Sequence, residues 1–392
     1  MDYNPFLPEV QANPHPYYAE LRRHAPVYHV ASLNWWVVSR YQDVLSMLKN
    51  PDPFSSAETM NTILPGELNF AKDAPAIMGV DPPIHTRLRK LVNRAFTPRL
   101  IAALESRIRA ITSELVAAGT ARGEFDLVSD LASPLPVTVI AEMLGVEPER
   151  RADFRQWGDA IVNAHGGVQS EAERARVRQL NLTFRSYFQE KVETRRTHPQ
   201  GDLITALVQA QEDQQMLSTE EILVLIAFLL LAGSETTTNL IGNAMVVLED
   251  HPQEMTKVRA NPTLIDNVIE ETLRYEGPIQ SMPRHILREV QIAGTTIPAG
   301  AVVVPLFASA NRDENKFPHP DRFDLTRDTE GHVGFGYGIH YCLGAPLARL
   351  EAKIALAELL RLRGLRRKNQ DVEFGGGIIV RGPKTLPLVC QH

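Results

Sequence analysis

Between Ser218 and Pro252 the chain is apolar with few interruptions, and this stretch predicts its longest element. Ile222 to Ala232 is an unbroken apolar run of 11 residues, about half of what a membrane span needs and suited to a helix that crosses a core. Ser218-Thr219-Glu220-Glu221 is a capping box of the S-x-x-E type and Pro252 is a stop, so the pattern predicts a helix of roughly 30 residues. Leu347, Leu350, Ile354 and Ala357 recur at helical spacing within Ala345 to Leu362. Asn261-Pro262 and Gly277-Pro278 bracket another helix, and Asp81-Pro82-Pro83 precedes one that carries His85 and Arg89. Ala152 to His165 and Ser170 to Arg196 read as two helices broken at Gly166-Gly167, and Glu289 to Ile292 reads as a strand. Asn50 to Val80, where Phe54, Ile63, Leu64 and Phe70 follow no period, predicts a long irregular loop of the lid type.

Composition narrows the class. The 392 residues contain no linker, repeat or low-complexity tract, so a single domain over 1–392 is expected, large enough to enclose a prosthetic group. The net charge of −6, from 41 basic and 47 acidic residues well mixed along the chain, argues against a nucleic-acid binder. Two cysteines build no disulfide framework and fit a reducing, cytoplasmic compartment. Met1-Asp2-Tyr3-Asn4-Pro5 lacks the charged and apolar regions of a signal peptide. A soluble protein without membrane anchor or fused reductase is expected.

The candidate chemistry concentrates in Phe335-Gly336-Tyr337-Gly338-Ile339-His340-Tyr341-Cys342-Leu343-Gly344. Gly336 and Gly338 allow a tight turn, and Cys342 falls just before a predicted helix, where the dipole and unpaired N–H groups favour a thiolate. Gly344 leaves room for a flat, bulky group. A buried structural cysteine is the plain alternative. Zinc is a poor one, because Cys390 is the only other cysteine and no C-x-x-C pair exists. In the long apolar helix, Ala232-Gly233-Ser234-Glu235-Thr236-Thr237-Thr238 places an acid and three hydroxyls where a core helix needs none. A threonine there can bond the carbonyl four residues back and bulge the helix. Its hydroxyls satisfied within the helix, and Glu235 paired with a distant arginine, would be the structural alternative.

The cysteine stretch resembles the ligand loop of the cytochrome P-450 superfamily, the haem-thiolate monooxygenases, and the other motifs follow in that family's order. The resemblance implies a mainly α fold, a triangular prism around a buried haem, with a small β region from Val27-Tyr28-His29, Trp35 to Ser39 and segments after Arg284. It implies haem b with Cys342 as axial thiolate, and haem contacts from His85, Arg89, Ala232, Arg284, Phe335, His340 and Gly344. Glu235 and Thr236 would take the acid–alcohol positions that deliver protons during oxygen activation, with Ala232 and Gly233 lining a groove beside the haem. Glu271, Arg274 and Arg322 would form a structural ion network. Ile279-Gln280-Ser281-Met282 would form a pocket floor for a hydrophobic small molecule of natural-product, terpenoid, steroid or fatty-acid type. O2 and a ferredoxin or flavodoxin with its reductase are the implied partners of a monomer. Arg87, Lys90, Arg94 and Arg99 form a candidate basic docking patch for that carrier. A haem-thiolate sensor, a peroxide-driven hydroxylase and a cofactor-free helical protein are the alternatives, and the acid–alcohol pair weighs for the monooxygenase.

Overall fold

The computed structural model describes residues 3–63, 70–72, 74–121, 124–163 and 170–391. Leu64 and the break expected at Gly166-Gly167 lie outside them. Helices dominate and the sheets are small. The expected helix ends are met closely: Ile84–Ala95, Arg151–Asn163, Glu171–Thr197, Thr219–Asp250, Ile265–Tyr275 and Ala345–Arg361. The capping box forms in both directions, with the Glu221 N–H donating to Ser218 Oγ at 3.2 Å and the Ser218 N–H to Glu221 Oε2 at 2.9 Å. The Thr219–Asp250 helix is long and apolar enough to cross a membrane, yet 61% of its apolar window is buried in protein.

The chain divides into two compact units, one of residues 1–55, 106–135 and 236–392, the other of residues 56–105 and 136–235. The first unit holds the main sheet, whose strands lie in the order Val27–Val30, Trp35–Val38, Val302–Pro305, Arg284–Ile286 and Phe54–Ser55. Trp35–Val38 runs parallel to Val302–Pro305, and the other pairs are antiparallel. Its apolar side, including Val38, Phe54, Ile286 and Val303, packs with Tyr41, Val44, Phe307 and Phe317 into one core. The second unit is helical, and its Arg151–Asn163 and Glu171–Thr197 helices meet through an aromatic cluster of Phe154, Trp157, Phe184 and Phe188.

Two expectations are corrected. The stretch from Asn50 to Val80 is more regular than its composition suggests: Phe54–Ser55 adds a strand to the sheet, and Thr59–Ile63, Phe70–Lys72 and Ile77–Gly79 are short helical turns. Burial of Phe54 and Ile63 holds the strand Phe54–Ser55 and the turn Thr59–Ile63. The Thr219–Asp250 helix is also continuous, without a bulge at its threonines. Thr238 sends its hydroxyl out of the helix to the Ala132 carbonyl at 3.0 Å, and Ser234 makes a back-bond to the Leu230 carbonyl at 2.7 Å.

Candidate active site

The cysteine loop in the first unit is built by its backbone. Gly336 and Gly338 have φ of +72° and +73°, which a side chain would strain. At Gly338 a Cβ would also lie 2.5 Å from the Leu48 carbonyl oxygen. The turns are closed by Gly336 N–H to the Val333 carbonyl at 2.9 Å and Tyr341 N–H to the Gly338 carbonyl at 3.1 Å. The Cys342 N–H donates to the Phe335 carbonyl at 3.0 Å, so the ends of the loop are held together. Cys342 is half-buried, and the Ala345–Arg361 helix begins three residues on with Gly344 as its cap. A Cβ on Gly344 would sit 4.0 Å from the thiol sulfur, so its absence keeps the space beside that atom clear. Among the described residues no group of three or more His, Cys, Asp or Glu side chains could hold a metal ion. A cysteine without companion ligands among the described residues fits a prosthetic group that brings its own remaining ligands, and it does not fit zinc.

Around the loop the first unit places the other expected residues. His340 ends the turn Gly338–His340, and Arg284 is the buried first residue of a strand. Phe335 lies under a guanidinium that the sequence reading passed over, with the Arg349 carbon 4.5 Å from the ring centroid. Arg349 is bound through Nε to Glu270 Oε1 at 2.6 Å and through Nη2 to Oε2 at 3.0 Å. Burial would raise the Glu270 carboxyl, but hydrogen bonds from Arg349 and His332 outweigh it and hold it at about 2. Arg349 could have been found from its place two helical turns beyond Cys342.

The ion network behind the loop forms with a different third member. Arg274 grips Glu271 with Nε to Oε2 at 2.7 Å and Nη2 to Oε1 at 2.8 Å, both residues being buried. The second arginine on Glu271 is Arg327, at 3.0 Å from Oε1. Arg322 instead turns outward with its side chain 66% exposed and contributes its carbonyl, which accepts from both Arg274 and Arg327. Burial of the neighbouring Phe323 at 1% exposure explains the outward turn.

Ala232, Glu235 and Thr236 lie half-buried on the Thr219–Asp250 helix. Burial raises the Glu235 carboxyl, and among the described residues no arginine or lysine pairs with it. The structural alternative of a distant arginine is therefore not realised. Gly233 is close-packed on one side, where a Cβ would lie 2.7 Å from the end of Ile140. In the first unit, Thr237 of the same helix hydrogen-bonds Glu351 of the cysteine helix, and burial pushes that carboxyl to about 8. Glu351 too escaped the sequence reading, since nothing in a helical pattern marks a buried acid as unpaired.

In the second unit His85 is buried on the Ile84–Ala95 helix. Its imidazole pKa is lowered by burial and then by the Arg89 charge, so the two share a face as expected. The outward basic residues do not form a free patch. Arg87 pairs with Glu221, Arg94 with Glu212 and Lys90 with Glu212 and Asp213 at 3.8 and 3.9 Å, leaving Arg99 exposed. In the expected pocket floor, Gln280 and Ser281 turn to backbone, on Gly277 and Ile378 at 2.8 Å each, while Ile279 and Met282 pack against the sheet core.

Comparison with known proteins agrees with this geometry. A family model described as Cytochrome P450 matches residues 166–372. The chain is 41% identical to Cytochrome P450 107B1 of Saccharopolyspora erythraea over 389 residues, covering 95% of this chain and 94% of that one. It is similar to the solved structure of Cytochrome P450 CYP109Q5 from Chondromyces apiculatus, with a TM-score of 0.93 and 45% identity over 100% of this chain and 98% of the other. It is also similar to CYP109E1 from Bacillus megaterium in complex with corticosterone, with a TM-score of 0.89 and 36% identity over 97% and 99% of the two chains.

Proposed function

This chain belongs to the cytochrome P450 family of haem-thiolate monooxygenases, and from that premise we propose that it oxidises an apolar polycyclic molecule of terpenoid or steroid type. In this reading haem b would be held through Cys342, with His85, Arg89, Arg284 and His340 to meet its carboxylates and Ala232, Phe335 and Gly344 to pack against it. A separate ferredoxin or flavodoxin with its reductase supplies electrons. The observation that carries the assignment is the single thiol of Cys342 on its glycine-built turn, with clear space beside it and no companion metal ligands among the described residues.

When bound, a haem held by the Cys342 thiolate would supply the O–O cleavage and oxygen-insertion chemistry. The chain's own residues seat it and manage protons. Glu235 is suited to the second task because burial raises its pKa and so favours its proton-bearing form, and among the described residues no cation pins it as a carboxylate. Thr236, the next residue, orients the proton carrier. Corticosterone in CYP109E1 supports the substrate class.

The haem assignment is tested on the reduced carbon monoxide complex. The wild type is expected to show the red-shifted Soret band of thiolate ligation and Cys342→Ser to lose it. Survival of that band in the variant would overturn the ligand. The substrate class is tested by titrating steroids, terpenoids and fatty acids while following the haem spin state. A response to fatty acids alone would overturn the polycyclic reading.

A further inference from the structure

Phe335 opens the cysteine motif and Arg349 lies on the helix that follows it, yet one carboxylate holds both sides of the loop. Glu270, on the Ile265–Tyr275 helix, takes two hydrogen bonds from Arg349. Its Oε2 also meets His332 Nε2 at 3.0 Å. The other ring nitrogen, Nδ1, accepts the Gly334 N–H at 3.1 Å, so the proton of the neutral ring lies on Nε2 and is donated to Glu270. Glu270 thus fixes the start of the loop through His332. It fixes the Phe335 ring through Arg349, whose Nη1 also reaches the Tyr341 hydroxyl at 3.4 Å. Phe335 in turn accepts the Cys342 N–H on its carbonyl.

We propose that Arg349, anchored by Glu270, is the positioning residue for Cys342, holding Phe335 and Tyr341 so that the loop presents its thiolate in one orientation beside a balanced pair of charges. The inference rests on the haem-thiolate reading given above. Two physical roles are combined in one side chain. The flat guanidinium stacks on a ring while making two parallel bonds to a carboxylate, a combination that lysine cannot reproduce. Its charge is cancelled by Glu270, so the thiolate sees little net field from the pair.

The test uses the full-length, haem-loaded protein with three variants and two readouts: the reduced carbon monoxide spectrum and the reduction potential. In Arg349→Leu, the share of the complex absorbing at the short-wavelength position of a lost thiolate is expected to rise several-fold. Its potential is expected to fall, because Glu270 is left as an uncompensated negative charge. In Glu270→Gln the potential is expected to move the opposite way, since Arg349 keeps its charge. Arg349→Lys is expected to restore the potential but not the spectrum, which separates charge from stacking. Wild-type spectra and potentials in all three variants would overturn the proposal, as would shifts of the same sign in Arg349→Leu and Glu270→Gln. If Arg349→Leu fails to load haem, the opposed behaviour of Glu270→Gln and Arg349→Lys decides. A wild type without a thiolate spectrum would overturn the haem assignment itself, a failure distinct from any of these.

Discussion

Buried carboxylates are treated in opposite ways at the end of the Ile265–Tyr275 helix and at the middle of the Thr219–Asp250 helix. In the first region each acid is saturated with cations. Glu271 is held by Arg274 and Arg327, Glu270 by Arg349 and His332, and Glu276 by His15, Arg312 and Arg381. Burial would raise Glu276, but His15 and the two arginines hold it well below the usual carboxylate range. In the second region Glu235 has no such partner among the described residues, and Glu351, which meets the helix at Thr237, has one hydroxyl. Both carboxyls are raised. Paired acids keep a fixed charge and build a frame, whereas Glu351, pushed to about 8, changes protonation near neutral pH, and burial moves Glu235 in the same direction. Burial alone does not separate the two roles, since Glu271 and Glu351 are 1% and 2% exposed.

The largest effect is expected from breaking the frame. Glu271→Gln leaves two buried arginines facing a neutral amide, which should cost about 3–5 kcal/mol and prevent haem loading. Thermal unfolding and the haem-to-protein absorbance ratio measure it, and an intact, loaded variant would dissolve the contrast between the regions. The pair Arg327→Leu and Arg322→Leu sharpens the point. The first should behave much like Glu271→Gln and the second should stay within about 0.5 kcal/mol of wild type, because an exposed side chain is removed.

Glu351 makes the opposite prediction. Its folded-state pKa, about 8, stands above the ordinary 4.5, so the folded protein binds the proton more tightly than the unfolded chain does. Stability from this group is present in full below about 4.5 and is lost as pH rises towards 8. Glu351→Gln keeps the shape and removes the titration. The variant should gain on the wild type across this window, by up to about 3 kcal/mol near neutral pH. Denaturant midpoints at three or four pH values read the difference. A constant offset between the two proteins would mean that Glu351 does not titrate there.

A smaller and more selective effect is expected at the neighbouring hydroxyl. Thr236→Ala should load haem and bind substrate as the wild type does, while product formed per NAD(P)H falls several-fold and hydrogen peroxide rises. The residue is assigned to orient a proton carrier, not to hold the cofactor. An unchanged ratio would return Thr236 to the ordinary role of a helix hydroxyl.

These contrasts mark how far the sequence could be read. Glycines that need positive φ, a cysteine before a helix and a reciprocal capping box are local signals, and the loop around Cys342 and the start at Ser218 formed as read. Side-chain direction in irregular backbone is not local. Arg322 and Arg327 look equivalent until Phe323 is known to be buried. Pairing across the chain is less visible still, since Arg349 finds Glu270 from 79 residues away. The arginines of the Ile84–Ala95 helix find their acids at still greater separations, 134 residues for Arg87 and 118 for Arg94.

Those last pairs set the smallest expected effect. Read alone, Arg87, Lys90 and Arg94 promise a positive surface that would draw in an acidic electron carrier. In the folded unit Glu221, Glu212 and Asp213 stand against them, so the field reaching a partner is small and salt screens what is left. Reversing charge at Lys90 and Arg94 therefore breaks surface pairs worth about 0–1 kcal/mol. It should change the rate of reduction by a ferredoxin or flavodoxin less than about threefold. Dithionite reduction should not change. Stopped-flow rates over a range of salt measure this. A tenfold loss in the double variant, with wild-type rates falling steeply as salt rises, would show that the helix steers a partner despite its paired charges. The weak response expected here would confine the functional charges of this unit to His85 and Arg89, which share the other face of the helix.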